Sequence, residues 1–393
     1  MSDNNINTNP DSEKRNPDRR WRILQLTSSS DIGGTERMLL HFLQNSDKSK
    51  FEYKVFSLLG SGILTEECRK IGIEAKTFGV RNLLKFSNLI SLIKAINRGK
   101  FHLIHSYGLR ADLVARIFTK KRKTGYPILV SGIRSIDPQR KKIHIFLDRL
   151  TSRRVSLFIS NSEAGRQVRI RREKFPAEKI VTIHNGIPIS LKHPIERRSE
   201  IRKKFNFSEE EILIGHISNI REAKGHADIL QAIKSLVREF PNLRFIFAGR
   251  DDSKGKIPNL VKELNISEFV RLLGFVSDPE EILCAIDIFI LPSHWEGFPA
   301  SILEAMLYSL PIVASNIGGI PEMIKDRFNG ILIPPKSPYH LAEAIKKILL
   351  DKDLALKIKQ NARKTVEEKF NVAGMTNLIE KYYLELLSKF DGD

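Results

Sequence analysis

Glu296 and Glu304 stand eight positions apart in the stretch from Leu291 to Gly319, LPSHWEGFPASILEAMLYSLPIVASNIGG. The apolar run Ile286 to Leu291 reads as a strand that stops at Pro292 and opens into a short polar loop holding Glu296. Pro299 then starts a helical stretch carrying Glu304, since a first helical turn loses nothing by the missing N–H of proline. Two carboxylates thereby sit at the carboxyl end of a strand, flanking a helix N-terminus (Gly297, Phe298, Pro299, Ala300) whose free N–H groups favour an anion. A sugar and a ribose on either side of a diphosphate would suit that arrangement.

Other strand ends carry candidate groups. In Gly33-Gly34-Thr35-Glu36, two glycines allow close approach of backbone to a ligand and Thr35 can cap the following helix. A plain strand-to-helix turn explains the same residues. His105 ends the run FHLIHS ahead of Gly108 and reads either as a structural hydrogen-bonder or as a catalytic-site group. Asn161-Ser162 and Asn185-Gly186 close two further strands, and a turn explains Asn-Gly equally well. SNIREAKGH places Arg221 and Lys224 before Gly225, and Gly318-Gly319-Ile320-Pro321-Glu322 is a turn leading into a helix.

The elements that position these groups alternate between strand and helix, as in parallel sheets covered by helices on both faces. RILQLTS, YKVFSLL, FHLIHS, PILVS and VSLFIS read as buried strands of a first half; ILIGHIS, RFIFAG, VRLLGF, IDIFIL and PIVAS as those of a second. Between them, Pro188 to Glu210 is charged and shows no strand. The expected division is a mobile tail over 1–20, a Rossmann-like domain over 21–195, a second over 206–370, and a terminal helix over 371–393. Ligands of doubly wound sheets bind beyond the carboxyl ends of the strands, so the cleft between the halves is the expected site.

From residue 22 to 390 the chain resembles the retaining GT-B glycosyltransferases of family 4, on Glu296-x7-Glu304, Lys224-Gly225, Gly33-Gly34, His105 and Gly318-Gly319. The resemblance implies an α/β GT-B fold, two Rossmann-like doubly wound domains facing across a cleft, with the terminal helix returning to the first. It also implies transfer from a nucleotide-diphosphate sugar without metal or other cofactor, with a glycan or lipid-linked acceptor. Glu296, His105 and Lys224 would be the catalytic group, with Lys224 on the leaving diphosphate. Gly34, Arg221, Gly297 to Ala300, Glu304, Gly318 and Gly319 would hold the donor, Glu304 through the ribose hydroxyls. The sequence departs from the family where an arginine commonly precedes the lysine by five: here Asn219 stands, and Arg221 is the candidate substitute. An epimerase acting on the same donors, an inactive scaffold and a basic nucleic-acid-binding protein are the alternatives.

Composition narrows these. With 65 basic and 46 acidic residues the net charge is +19, which favours an anionic partner. No recognition-helix, zinc-finger or RNP-like pattern accompanies it, so nucleic acid is not the expected partner. Two cysteines, Cys68 and Cys284, without CxxC spacing point to a reducing compartment. Asp351-Lys352-Asp353 and Asp391-Gly392-Asp393 formally spell a metal motif, but neither follows a strand and both read as surface. No run is long enough to cross a bilayer, and the expected location is cytoplasmic, with loose contact to an anionic inner leaflet. Arg140, Lys141, Lys142, Arg149, Arg153 and Arg154 surround a helix whose stripe Ile143, Phe146, Leu147 and Leu150 is expected to face the domain core.

Overall fold

A computed structural model describes residues 20–81, 86–123 and 125–389; the expected tail and the last Asp-x-Asp lie outside these residues. Seven strands form the first sheet: β1 (Trp21–Ser29), β2 (Phe51–Leu59), β3 (Glu74–Thr77), β4 (Leu103–Tyr107), β5 (Ile128–Ile133), β6 (Leu157–Ser160) and β7 (Ile180–Thr182). Six form the second: β8 (Ile212–Ile217), β9 (Leu243–Ala248), β10 (Val270–Gly274), β11 (Ile288–Leu291), β12 (Ile312–Ser315) and β13 (Ile331–Ile333).

Their orders are β3-β2-β1-β4-β5-β6-β7 and β10-β9-β8-β11-β12-β13. Every pairing is parallel. Each sheet therefore reverses direction beside its first strand, between β1 and β4 and between β8 and β11. Those are the two crevices that doubly wound sheets offer to ligands. The central strands are apolar on both faces because helices cover both; β5 and β11 are buried throughout.

The terminal helix Val372–Ser388 lies on the first domain, where Met375, Ile379, Tyr383 and Leu387 join the core built from Trp21, Phe42, Phe51 and Leu103. Two chain passages link the halves, and they run side by side. Ile187 N–H donates to Phe370 O at 2.9 Å, and Val372 N–H returns to Ile187 O at 2.9 Å.

The stretch expected to be a linker is shorter than the sequence suggests. Residues Arg198–Lys204 form a helix whose Arg202 is wholly buried against the second domain. Its guanidinium donates to the carbonyls of Ala285 at 3.0 Å and Ser208 at 3.0 Å and pairs with Asp287 at 2.8 Å. A highly charged segment hid an anchor because the charge in question is satisfied indoors.

Candidate functional site

Three loops at the carboxyl ends of β8, β11 and β12 are drawn together by backbone. Gly225 has φ +71°, and a Cβ there would lie 2.1 Å from Pro292 O, so only glycine lets the loop after β8 reach the one after β11. His294 N–H adds a bond to Ala223 O at 2.8 Å. Gly318, with φ +51°, packs on the Glu296 carbonyl, where a Cβ would come within 2.0 Å. Gly319 N–H donates to Gly297 O at 2.9 Å.

The result is a compact ionic centre. Lys224 Nζ pairs with Glu296 Oε1, and Ser293 Oγ donates to the same oxygen at 2.9 Å. Glu296 and Ser293 are buried, and Lys224 is partly exposed. The following helix is Ala300–Leu307 with Pro299 as its N-cap, one residue later than the sequence reading, and it carries the buried Glu304. Gly297, Phe298 and Pro299 form the turn between the two carboxylates.

The first domain closes this centre from the other side. Arg37, in the helix Gly34–Asn45, pairs with Glu304 Oε1 at 3.0 Å across the cleft. Arg134, beyond β5, donates to Asn185 Oδ1 at 3.3 Å while Asn185 Nδ2 donates to Phe298 O at 3.0 Å. Glu322 accepts from the N–H groups of Glu163 at 2.7 Å and Ala164 at 2.8 Å, and it meets His184 Nε2 at 2.7 Å. It thereby caps a helix of the opposite domain. Burial opposes its charge, but His184 and those amides hold the carboxyl below the ordinary glutamate range.

Ser293, Arg37, Arg134 and Glu322 were not among the expected site residues. Arg37 had a signal: a cation in the first turns of a helix opposes the helix dipole and asks for another reason to be there. Arg134 had one too, at the carboxyl end of PILVSGI.

Two expected members are elsewhere. His105 is fully buried, with Nδ1 2.6 Å from Tyr383 Oη and its ring stacked on Tyr107 at 4.3 Å. Burial, helped by the nearby Arg134 charge, keeps the imidazole well below its usual pKa and hence neutral. It fastens the terminal helix to β4 rather than facing the cleft. Arg221 points its Nε to Asp252 at 2.6 Å and is largely exposed, away from the Lys224–Glu296 pair. Asn219 instead accepts from Arg250 N–H at 3.2 Å.

Gly34 opens the helix Gly34–Asn45 with free space around it, and Gly33 is the N-cap. Thr35 does not cap this helix; the carboxylate of Glu36 takes the Gly33 N–H at 3.2 Å. Among the described residues no group of three or more His, Cys, Asp or Glu is placed to hold a metal ion.

Comparison with known proteins agrees with this construction. Residues 32–191 match the family model described as Glycosyltransferase Family 4, and residues 197–365 match that described as Glycosyl transferases group 1. An Escherichia coli relative, UDP-Gal:alpha-D-GlcNAc-diphosphoundecaprenol alpha-1,3-galactosyltransferase, is 25% identical over 374 residues, 91% of this chain and 95% of that protein. The capsular polysaccharide biosynthesis glycosyltransferase CapM of Staphylococcus aureus is 24% identical, covering 79% of this chain and 85% of its own. Among solved structures, Anabaena HepE in complex with UDP-glucose superposes with a TM-score of 0.83 at 23% identity, covering 93% of this chain and 99% of that one. With both halves matched and two facing Rossmann-like domains, the chain belongs to the family 4 glycosyltransferases of GT-B fold.

Proposed function

We propose that the protein is a retaining, metal-independent hexosyltransferase. It moves a sugar from a nucleotide-diphosphate donor to a glycan or lipid-linked acceptor in cell-envelope polysaccharide or glycolipid synthesis, at the cytoplasmic face of the membrane. The observation that carries this reading is the Lys224–Glu296 pair at the crevice beside β11, with Glu304 on the adjoining helix. The E. coli relative's named donor and diphospholipid acceptor favour the same chemistry.

In this reading Lys224 and the amides at the start of the helix Ala300–Leu307 neutralise the departing diphosphate. Glu296 binds hydroxyls of the transferring sugar and offsets positive charge at its anomeric carbon. The acceptor oxygen bonds to that carbon on the face from which the diphosphate leaves. The bonding pair departs with the diphosphate, whose oxygen takes the acceptor's proton, so no enzymic nucleophile is consumed. Glu304 holds the ribose, sharing its carboxylate with Arg37.

The test is transfer from labelled UDP-, GDP- and ADP-sugars to a lipid-linked acceptor in excess EDTA. Turnover is expected to continue undiminished, because a lysine supplies the charge at the diphosphate. Activity lost to the chelator and restored by Mg²⁺ or Mn²⁺ overturns the metal-independent assignment. Glu304→Ala is expected to raise the donor KM with kcat little changed, since ribose contacts are alike in ground and transition states. A fall confined to kcat would take Glu304 off the ribose.

A further inference from the structure

The helix Lys142–Thr151 is turned inside out relative to an ordinary helix of an α/β domain. Its inward residue is a carboxylate, Asp148, only 2% exposed, while Ile143, Phe146 and Leu150 are 56%, 60% and 54% exposed. The cause is a buried ionic cluster beneath it. Asp148 meets Arg116, Arg140 at 2.5 Å and Arg169 at 2.7 Å, and Glu173 meets Arg140 and Arg169 at 2.5 Å each. Charge faces the domain, so Ile143, Phe146 and Leu150 face solvent with Leu147 half-buried, opposite to the expectation from their spacing.

The rim of that stripe carries one sign. Lys141, Lys142, Arg149, Arg153 and Lys174 are exposed, and none pairs with a carboxylate among the described residues. Arg140 and Arg154, grouped with these cations in the sequence, are engaged: Arg140 in the cluster, and Arg154 on the carbonyls of Arg116 and Thr119. Those carbonyls lie at the end of the helix Leu109–Phe118, where Ile117 and Phe118 are also exposed, 53% and 37%. A groove of about 480 Å³ between Phe146, Leu150 and Phe175 is bordered by Arg149, Arg153 and Lys174. Apolar residues within a rim of unpaired cations are complementary to a surface of anionic phosphates over acyl chains.

We propose that this face docks on an anionic phospholipid bilayer, with Phe146 and Leu150 entering the boundary between headgroups and acyl chains and phosphates lying against Arg149, Arg153 and Lys174. It rests on the proposed membrane-side work but not on the transfer chemistry. No helix among the described residues is long and apolar enough to span a bilayer, so contact through this face is shallow and reversible.

Flotation of the full chain with phosphatidylglycerol-containing and pure phosphatidylcholine vesicles tests this without any acceptor. The protein is expected to float only with the anionic vesicles. Phe146→Glu and Lys141→Glu/Lys142→Glu should each lower the partition by roughly tenfold or more, while turnover on a water-soluble acceptor analogue is unchanged. Phe146→Trp should shift its emission to the blue on anionic vesicles. Equal binding to both vesicles, binding without the emission shift, or self-association that Phe146→Glu abolishes would each overturn the proposal, the last assigning the face to a second copy. Loss of flotation with retained transfer removes the docking surface alone; retained flotation without transfer removes the proposed reaction alone.

Discussion

Glu296→Ala is expected to lower kcat by roughly 10²-fold or more, with a much smaller change in donor KM. The carboxylate is buried, hydrogen-bonded by Ser293 and paired with Lys224, so its place is set before any substrate arrives. A group oriented in advance stabilises developing charge without reorganising at the moment of reaction, and its removal is felt in the chemical step. The same substitution leaves the Lys224 cation without its partner, which favours the diphosphate ground state and keeps KM from rising. Steady-state kinetics on the variant separates the two constants. Equal, small changes in both would place Glu296 outside the reaction.

The second large effect is on stability. Asp148→Ala should cost about 3–5 kcal/mol, because it leaves Arg116, Arg140 and Arg169 facing one another with a counter-charge removed. The pH dependence has a definite sign. Burial alone would raise the Asp148 pKa, but the Arg169 and Arg116 charges and the hydrogen bonds from Arg140 and Arg116 bring it down to about 2. An unfolded aspartate titrates near 3.9, so the group's contribution is complete above roughly pH 5 and fades as pH falls toward 2. The melting-temperature gap between wild type and Asp148→Ala is therefore expected to be widest near neutrality and to narrow in acid. A gap independent of pH would mean that shape, not charge, holds the helix.

What could be read in the sequence followed from how strongly each segment differs from its neighbours. β5 and β11 are buried throughout and mostly apolar, β11 being the unbroken run Ile-Phe-Ile-Leu ahead of Pro292. β3 and β13 were missed: they are edge strands of four and three residues, and Glu-Ala-Lys-Thr has no apolar signature at all. Loop residues tied by backbone geometry, such as Gly225 and Gly318, were legible because glycine is demanded by conformation. Partners brought from far along the chain were not. Tyr383 lies 278 positions from His105 and turns a strand-end histidine into a core residue, and Arg37 lies 267 positions from Glu304. The helix Lys142–Thr151 defeated its own periodicity because spacing reveals that a stripe exists, but only the charges beneath it decide which way it points.

The paired crossings at Ile187 and at Phe370 to Val372 have a mechanical consequence. Two passages bonded to each other act as one junction, so pulling the halves apart there breaks both the Ile187–Phe370 and the Val372–Ile187 hydrogen bonds. The Arg37–Glu304 pair and the Glu322 cap tie the same halves elsewhere, so opening the cleft must break these contacts as well.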